Sequence, residues 1–152
     1  MGKKIKIYLD TSVISALFDA RNPERQELTE NFFEKIEMFD IFVSDIVFAE
    51  IDDISNENLK KLMREQIIEF NILQIDEETS KLADEYVKNG AIPSAYSEDA
   101  LHIAISTLHE IDYLLSWNFR HIVKMKTRKI VNMVNFTLGY PDLRIITPAE
   151  LL

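Results

Sequence analysis

The chain has 152 residues, of which 26 are acidic and 17 are basic, so its formal charge is −9 at pH 7. A hydrophobic content of 47% is enough for the core of one domain and excludes disorder as the main state of the chain. The absence of cysteine excludes disulfides, iron–sulfur clusters and cysteine-bound zinc. Because no apolar run approaches the length of a membrane span, about 20 residues, we expect one cytoplasmic domain without a membrane partner.

The charges are distributed unevenly along the chain. Residues 1–110 carry 23 acidic and 11 basic side chains, whereas residues 111–152 carry three acidic and six basic ones. Five of these six basic residues lie within 120–129, where there is no acidic residue. Such a stretch is typical either of a solvated helical face or of a patch that contacts phosphates, and the sequence leaves both interpretations open.

Short β-rich runs alternate with longer segments of helical periodicity. In chain order, the predicted strands are residues 4–9, 41–44, 72–75, 113–116 and 144–146. The predicted helices are residues 24–39, 57–70, 77–89 and 97–109, the last with Ser97 as its N-cap. This alternation indicates βαβ units and an α/β fold, with a mostly parallel central sheet covered on both faces.

Polar residues follow three of the predicted strands. They are Asp10, Thr11 and Ser12 after the first strand, Ser44, Asp45 and Glu50 after the second, and Ser116 and Asn118 after the fourth. In a parallel sheet, the carboxyl ends of the strands form the edge where ligands bind. The sequence therefore predicts a polar and partly acidic site at this edge.

Three carboxylates have both an ordinary and a functional interpretation. Asp10 can cap the helix that follows it, although Thr11 or Ser12 can do so equally well. Asp99 can stabilise the first turn of the last predicted helix through the helix dipole. Glu50 lies in a segment that is apolar nearly all round, where a buried carboxylate is costly unless it is paired or binds a metal.

Together, three carboxylates at one sheet edge repel one another unless a cation lies among them. Oxygen ligands without any cysteine favour a hard cation, Mg²⁺ or Mn²⁺, over zinc. Such an ion suits phosphoryl chemistry, because it activates water and stabilises charge on phosphate oxygens. His102 shares a helix face with Asp99, and it is either a packed, hydrogen-bonded core residue or a ligand.

The sequence excludes two other classes of phosphoryl-transfer protein. A haloacid-dehalogenase-like phosphatase needs Asp-x-Asp after its first strand, and here Ser12 stands in the place of the second aspartate. A response-regulator receiver needs paired acids after its first strand. The Asp-Asp pair of this chain, Asp52 and Asp53, lies in a probable helix instead.

Four blocks of the sequence resemble the PIN domain, in order and roughly in spacing. They are YLDTSV at 8–13, Glu50 after a strand, EDALHIA at 98–104 and LLSWNFRHI at 114–122. The resemblance covers almost the whole chain, and it is to prokaryotic VapC-type toxins and similar stand-alone PIN proteins. It implies a single PIN-like domain over residues 1–152 with a Rossmann-like, three-layer α/β/α fold.

The resemblance also implies a ribonuclease that depends on Mg²⁺ or Mn²⁺, and a site to match. The metal ligands implied are Asp10, Glu50 and Asp99. Ser12, or else Thr11, matches a hydroxyl that positions a water or a carboxylate. Asn118 joins the catalytic set at a position where many family members have a fourth acidic residue, so a second ion would be held more weakly here.

Substrate and partners follow from the same resemblance. With Thr11 and Ser12, Arg120 and His121 are the predicted substrate-binding residues. Arg120 can bind a phosphate in bidentate fashion, and His121 either contacts RNA or makes a structural hydrogen bond. The substrate expected is a single-stranded segment of RNA. A stacking face for an unpaired base is one interpretation of Trp117, and core packing is the other.

The protein partners implied by the resemblance are a second copy of the chain and a small antitoxin that covers the cleft. The alternative function is a catalytically weak PIN-fold module that acts through a protein partner. It is favoured by the neutral Asn118 and by the acidity of residues 1–110, which repels RNA.

Overall fold

The central sheet consists of parallel strands in a computed structural model that describes residues 2–151. The strands are β1 (Ile5–Leu9), β2 (Phe39–Ser44), β3 (Asn71–Leu73), β4 (Tyr113–Leu115) and β5 (Arg144–Ile146). Their order across the sheet is β3-β2-β1-β4-β5, and every neighbouring pair is parallel. The predicted parallel sheet is therefore confirmed.

Helices connect the strands and flank the sheet. They are α1 (Thr11–Ala16), α2 (Pro23–Glu34), α3 (Asp45–Asp52), α4 (Glu57–Ile67), α5 (Glu77–Lys88), α6 (Ser97–Leu108), α7 (Met125–Leu138) and α8 (Pro148–Leu151). In one group α5 packs on α6 and α7, and in another α1 packs on α2, α3 and α4. This arrangement confirms the predicted α/β class. Within the described residues, none of these helices combines the length and the apolar character that a bilayer crossing requires.

The strand order reverses beside β1. The chain runs from β1 to β2 and β3 on one side and then returns to β4 and β5 on the other. Ile7, Tyr8 and Leu9 are fully buried, because a central parallel strand is covered on both faces. Ligands of such sheets bind at the carboxyl ends of the strands where the order reverses. Here that crevice lies beyond Leu9 and Leu115, which are paired in register.

Three predicted helix boundaries are wrong, and one of them is the end of the helix predicted over 57–70, since α4 ends at Ile67. The helix predicted over 24–39 corresponds to α2, which ends at Glu34, and Phe39 is already the first residue of β2. The ring of Phe39 stacks on Phe32 at a centroid distance of 5.9 Å, so a tertiary contact, not a continued helix, accounts for the apolar spacing. Ser97 is the first residue of α6 and not its N-cap, because a 3₁₀ turn at Ser94–Tyr96 runs directly into the helix.

Helix α7 is an element that apolar periodicity does not identify. Val131 is buried on one face, but Met133 and Phe136 are exposed, so apolar residues lie on both faces. The helix ends at Gly139, whose φ of 83° is strained for any residue with a Cβ atom. The basic stretch at 120–129 therefore covers the turn after β4 and the start of α7.

Candidate functional site

Asp10 lies at the crevice, directly after β1, and the residue is 3% exposed. Its Oδ1 accepts hydrogen bonds from Ser12 Oγ at 2.6 Å and from the backbone N–H of Val13 at 3.3 Å. Its Oδ2 accepts one from Ser116 Oγ at 2.5 Å. The bond from Val13 makes Asp10 the N-cap of α1, so its ordinary interpretation is confirmed. The bond from Ser116 shows that it also joins β1 to the turn after β4.

The direct partners of Asp10 are all neutral. Burial raises the pKa of its carboxyl, while the nearby charge of His102 and the two serine hydroxyls act in the opposite direction. An ionised carboxylate at this depth is costly without a positive charge close to it. Asp10 is therefore a buried acid whose charge its own hydrogen bonds do not balance.

Glu50 reaches the same crevice from α3, and its side chain is 27% exposed. Its Oε1 accepts hydrogen bonds from Thr11 Oγ1 and from His102 Nε2, each at 2.7 Å. Burial opposes ionisation of this carboxyl, but the hydrogen bonds from His102 and Thr11 outweigh burial and lower its pKa. Glu50 is therefore an ionised carboxylate in a fixed orientation.

His102 is the donor that fixes Glu50, and it is itself held from behind. Its side chain is 2% exposed, and its Nδ1 lies 2.6 Å from the hydroxyl of Tyr8. That hydroxyl lies 2.7 Å from Ser44 Oγ at the end of β2. Burial raises the pKa of Tyr8 well above its usual value, so the phenol stays neutral. Of the two interpretations of His102, the packed and hydrogen-bonded core residue is confirmed.

Asp99 lies in the first turn of α6, and its side chain is 17% exposed. Its Oδ2 is 3.2 Å from His121 Nδ1 and 3.4 Å from Asn118 Nδ2. Burial raises the pKa of this carboxyl, although the charges of His102 and His121 oppose the shift. Asp99 is therefore bound to the turn after β4, in the same way as Asp10 is.

The turn after β4 orients Asn118 and His121 towards the carboxylates. Asn118 Oδ1 accepts a hydrogen bond from the backbone N–H of His121 at 2.9 Å, which directs the Nδ2 group to Asp99. His121 is 8% exposed, and its ring lies 4.0 Å from the ring of Tyr96 between centroids. Of the two interpretations of His121, the structural hydrogen bond is the one that this geometry displays.

The other predicted substrate-binding residues divide into two kinds. The hydroxyls of Thr11 and Ser12 are bonded to Glu50 and Asp10, so they position carboxylates. Arg120 is exposed in the turn between β4 and α7. Among the described residues it makes no side-chain hydrogen bond or ion pair, so its guanidinium is available to an anion.

Of the three carboxylates, Glu50 is bonded to the imidazole of His102, and the charges of the other two act on the same ring. Burial lowers the pKa of His102, but its hydrogen bond to Glu50 and the charges of Glu50, Asp10 and Asp99 outweigh burial and raise it. An open cavity of about 310 Å³ lies over Glu50 and Asp99 and is walled by residues 95–98. A larger cavity of about 580 Å³ lies at the opposite edge of the sheet, beside Ile5 and Asp112, far from these acids.

The carboxylates match a hard divalent cation in their chemistry. In the arrangement of residues 2–151, no three Asp, Glu or His side chains are placed so that one ion could bind to all of them. Each of the three acids is instead bonded to hydroxyl, imidazole or amide donors of the chain. Oxygen donors are nonetheless the ligands that Mg²⁺ and Mn²⁺ prefer, and a cation here would balance the charge of buried Asp10.

The roles of several site residues could not be predicted from the sequence. Ser116 is recognised as a polar residue after a strand, but its bond to Asp10 spans 106 positions and has no local signal. Tyr8 is a hydroxyl within an otherwise apolar strand, and that contrast is the signal that could have identified it. Trp117 is 8% exposed and bonded through Nε1 to Thr29, so its core interpretation holds.

Comparisons with known proteins bear on the site as a whole. The family model of the PIN domain matches residues 7–122, a segment that contains every predicted site residue from Asp10 to His121. A search among curated protein sequences finds no match.

Solved structures of similar fold include three from bacterial toxin systems. A toxin–antitoxin complex from Klebsiella pneumoniae aligns at a TM-score of 0.59 and 17% identity, over 78% of this chain and 92% of that chain. VapBC2 from Rickettsia felis, bound to a promoter DNA fragment, aligns at a TM-score of 0.59 and 13% identity, over 93% of this chain and 97% of that chain. VapC20 from Mycobacterium tuberculosis, a Sarcin-Ricin loop cleaving toxin, aligns at a TM-score of 0.62 and 13% identity, over 91% of this chain and 98% of that chain. At these identities, the likeness demonstrates a shared fold.

Proposed function

The chain belongs to the PIN domain family, and from this premise we propose that it is a metal-dependent endoribonuclease, the toxin of a toxin–antitoxin pair. It would hydrolyse phosphodiester bonds in single-stranded RNA. The observation that carries the proposal is the placement of three acids at the edge of the sheet where ligands bind: Asp10 directly after β1, Glu50 bonded to His102, and Asp99 in contact with the turn after β4. The toxin structures of similar fold support it.

The proposed ion is Mg²⁺ or Mn²⁺, held by Asp10, Glu50 and Asp99. When bound, it would supply activation of water and stabilisation of the charge that develops on the phosphate oxygens. Ser12 and Ser116 hold the two oxygens of Asp10, so this carboxylate has little freedom to turn. In the same way, hydrogen bonds from two sides keep Glu50 in one orientation. Such preorganisation avoids the cost of ordering the site during the reaction.

The remaining site residues have supporting roles in this proposal. Asn118 directs its amide at Asp99, and because it is neutral we infer that one tightly held ion is sufficient. His121, in the same turn as Asn118, orients Asp99 through its ring nitrogen Nδ1. Arg120 is the exposed cation that would contact a phosphate of the RNA.

The proposed partners are an antitoxin and a second copy of the chain. The similar structure from Klebsiella pneumoniae is a toxin–antitoxin complex, which supports an antitoxin partner for this chain. On α4 and just after it, Leu62 and Ile68 are 40% and 60% exposed, and these exposed apolar side chains support a homodimer. Light scattering on the purified chain, with and without coexpressed antitoxin, tests both partners.

The second candidate function is a catalytically weak PIN-fold module that acts through a protein partner. It is favoured by the amide of Asn118, which lies 3.4 Å from Asp99 in the place of a fourth acid. Calorimetry with Mn²⁺ separates the two functions. Absence of binding at millimolar Mn²⁺, even with RNA present, would favour the inactive module.

The experiment that tests the proposed function is the substitution Asp10→Asn. We expect it to abolish Mn²⁺-dependent cleavage of single-stranded RNA while circular dichroism shows an unchanged fold, because Asn is isosteric and keeps the helix cap. Asp84→Asn, at an exposed position of α5, is the matched control and should cleave like wild type. Wild-type cleavage by Asp10→Asn would remove this residue from the mechanism.

A further inference from the structure

A cation on α2 lies against the aromatic residues that flank Asn118. The guanidinium carbon of Arg25 is 5.2 Å from the ring centroid of Trp117 and 5.6 Å from that of Phe119. Both distances are within the range of a cation–π interaction, about 6 Å. Arg25 therefore lies beside the turn that carries Asn118, on the α2 side of the carboxylate site.

This position is fixed by hydrogen bonds through Trp117. Its indole Nε1 donates to Thr29 Oγ1 at 2.9 Å, and Thr29 Oγ1 donates to the backbone carbonyl of Arg25 at 2.7 Å. The backbone N–H of Trp117 donates to Ser12 Oγ at 2.8 Å, and Ser12 is bonded to Asp10. Arg25 is thus connected to Asp10 through a short series of buried and partly buried hydrogen bonds.

The guanidinium of Arg25 has no anion of its own within the described residues. It makes no side-chain hydrogen bond or ion pair there, in contrast to the guanidinium groups of Arg21, Arg64 and Arg128, which pair with carboxylates. The nearby Asp19 is already bonded to Arg21. The N–H groups of Arg25 are therefore available to an anion that comes from outside the chain.

Phe119 adds an apolar face at the same place. Its side chain is 51% exposed, and its ring packs against Trp117 at 6.1 Å between centroids and against Arg25. Exposed aromatic rings next to cationic groups are the stacking platforms of proteins that bind single-stranded nucleic acid. A paired duplex cannot use such a platform, because its bases are stacked on one another.

We propose that Arg25 and Phe119 form a nucleotide-binding platform beside the carboxylate site. Arg25 contacts a phosphate of single-stranded RNA, and Phe119 stacks on the unpaired base next to it. That this platform positions RNA for cleavage at the carboxylate site rests on the proposed function. The platform itself rests on the contacts of Arg25, Trp117 and Phe119.

Binding is measured in the Asp10→Asn background, where cleavage is not expected. The probes are a fluorescein-labelled single-stranded RNA of mixed sequence and the same sequence as a duplex, followed by fluorescence anisotropy. We expect Phe119→Leu to weaken single-stranded binding about tenfold, which is the size of effect of losing one stacked base. Arg25→Gln should also weaken it about tenfold, because it removes a charge-assisted contact to a phosphate. Binding of the duplex should change less than about twofold.

Two matched controls remove the same groups elsewhere. Arg144→Gln changes an exposed arginine whose guanidinium lies 5.7 Å from the ring centroid of Tyr113 at the opposite edge of the sheet, and Phe136→Leu changes a phenylalanine that is 84% exposed on α7. Both should bind single-stranded RNA like the background protein. Arg25→Lys keeps the charge but loses the planar group, so it should bind nearly as weakly as Arg25→Gln. Binding by Arg25→Lys at the level of the background protein would overturn the requirement for a planar guanidinium, because charge alone would then be sufficient.

Cleavage assays separate failure of the platform from failure of the proposed function. In the wild-type background, Arg25→Gln should raise KM about tenfold with kcat nearly unchanged, because it removes a contact made equally before and during the reaction. If wild type binds single-stranded RNA through Arg25 but never cleaves it, the ribonuclease proposal fails and the platform stands. If wild type cleaves RNA and both variants bind and cleave equally well, the platform is overturned and this surface is free for a protein partner.

Discussion

Glu50 and His102 lie 52 positions apart in the chain, yet the Oε1 and Nε2 atoms of their side chains are 2.7 Å apart. The contact joins α3 to α6 across the carboxyl edge of the sheet. Because the opposite side of the imidazole is bonded to Tyr8 in β1, one buried ring connects three elements of the fold. The orientation of a site carboxylate and the packing of the core therefore depend on the same residue.

Replacement of this ring should destabilise the protein. In His102→Leu, the hydroxyl of Tyr8 and the carboxylate of Glu50 each lose a partner, which we expect to lower the free energy of unfolding by about 1–3 kcal/mol. Urea denaturation measures the change. His109→Leu, at the exposed C-terminal end of the same helix, is the control and should stay within about 0.5 kcal/mol of wild type. Equal stabilities of the two variants would contradict a structural role for the ring.

Divalent metal should stabilise the folded chain through Asp10. At a Mn²⁺ concentration about 100 times the dissociation constant, binding to the native state alone adds about 2.7 kcal/mol of stability. We expect the thermal midpoint of wild type and of the exposed-site variant Asp84→Asn to rise with Mn²⁺, and that of Asp10→Asn to rise much less. Differential scanning fluorimetry detects the difference. A rise of the same size in all three proteins would place the ion elsewhere.

The capping box of α5 should make part of the stability depend on pH. The backbone and side chain of Thr79 hydrogen-bond to Asp76 and lower the pKa of this carboxyl below its usual value. A lowered pKa stabilises the fold above the unfolded value, about 3.9, and this stabilisation is lost as pH falls through the folded pKa. Asp76→Asn retains the cap without the charge. The stability difference between the two proteins should therefore shrink as the solution is acidified below about pH 4, and a difference that stays constant would contradict it.

A buried hydrogen-bond network away from the site should contribute to the stability of the fold but not to RNA cleavage. The hydroxyl of Tyr86 lies 3.0 Å from Thr107 Oγ1 and 2.5 Å from Asn135 Oδ1, where α5, α6 and α7 meet. Tyr86→Phe leaves both partners short of a hydrogen bond, so we expect a loss of about 1–2 kcal/mol in chemical denaturation.

The same variant should cleave RNA at the wild-type rate at 25 °C, because none of these residues contacts the carboxylates. Tyr140→Phe, which removes a hydroxyl at a more exposed position, is its control. Loss of cleavage in Tyr86→Phe with unchanged stability would show that the network acts on the site.

Much of the fold could be predicted because the sequence alternates between two clear periodicities. The five strands are found at their predicted places within about three residues, since each is a short apolar run between polar turns. Helix α7 is not identified by periodicity, because Met133 and Phe136 are exposed on the face that a periodic pattern needs to be polar. The boundary at Phe39 is wrong because an aromatic contact with Phe32 imitates helical spacing.

The acids of the candidate site could be placed at one sheet edge from their positions after strands, but their partners could not. Asp10 receives hydrogen bonds from Ser12, a neighbour, and from Ser116, which is 106 positions away. Distant pairs of this kind depend on the register between β1 and β4, and one sequence carries no local signal for that register. Arg25 is missed for the same reason, since its aromatic contacts come from the turn after β4.

The position of β1 in the middle of the sheet has a consequence for the growing polypeptide. Of the five strands of the sheet, β1 leaves the ribosome first, but its second neighbour, β4, is translated more than a hundred codons later. Until then one edge of β1 has no strand beside it, and Asp10 has no serine from the far side of the crevice. A nascent chain that stalls before this point cannot assemble the complete pocket, so any hydrolytic activity is delayed until β4 and Ser116 have been translated.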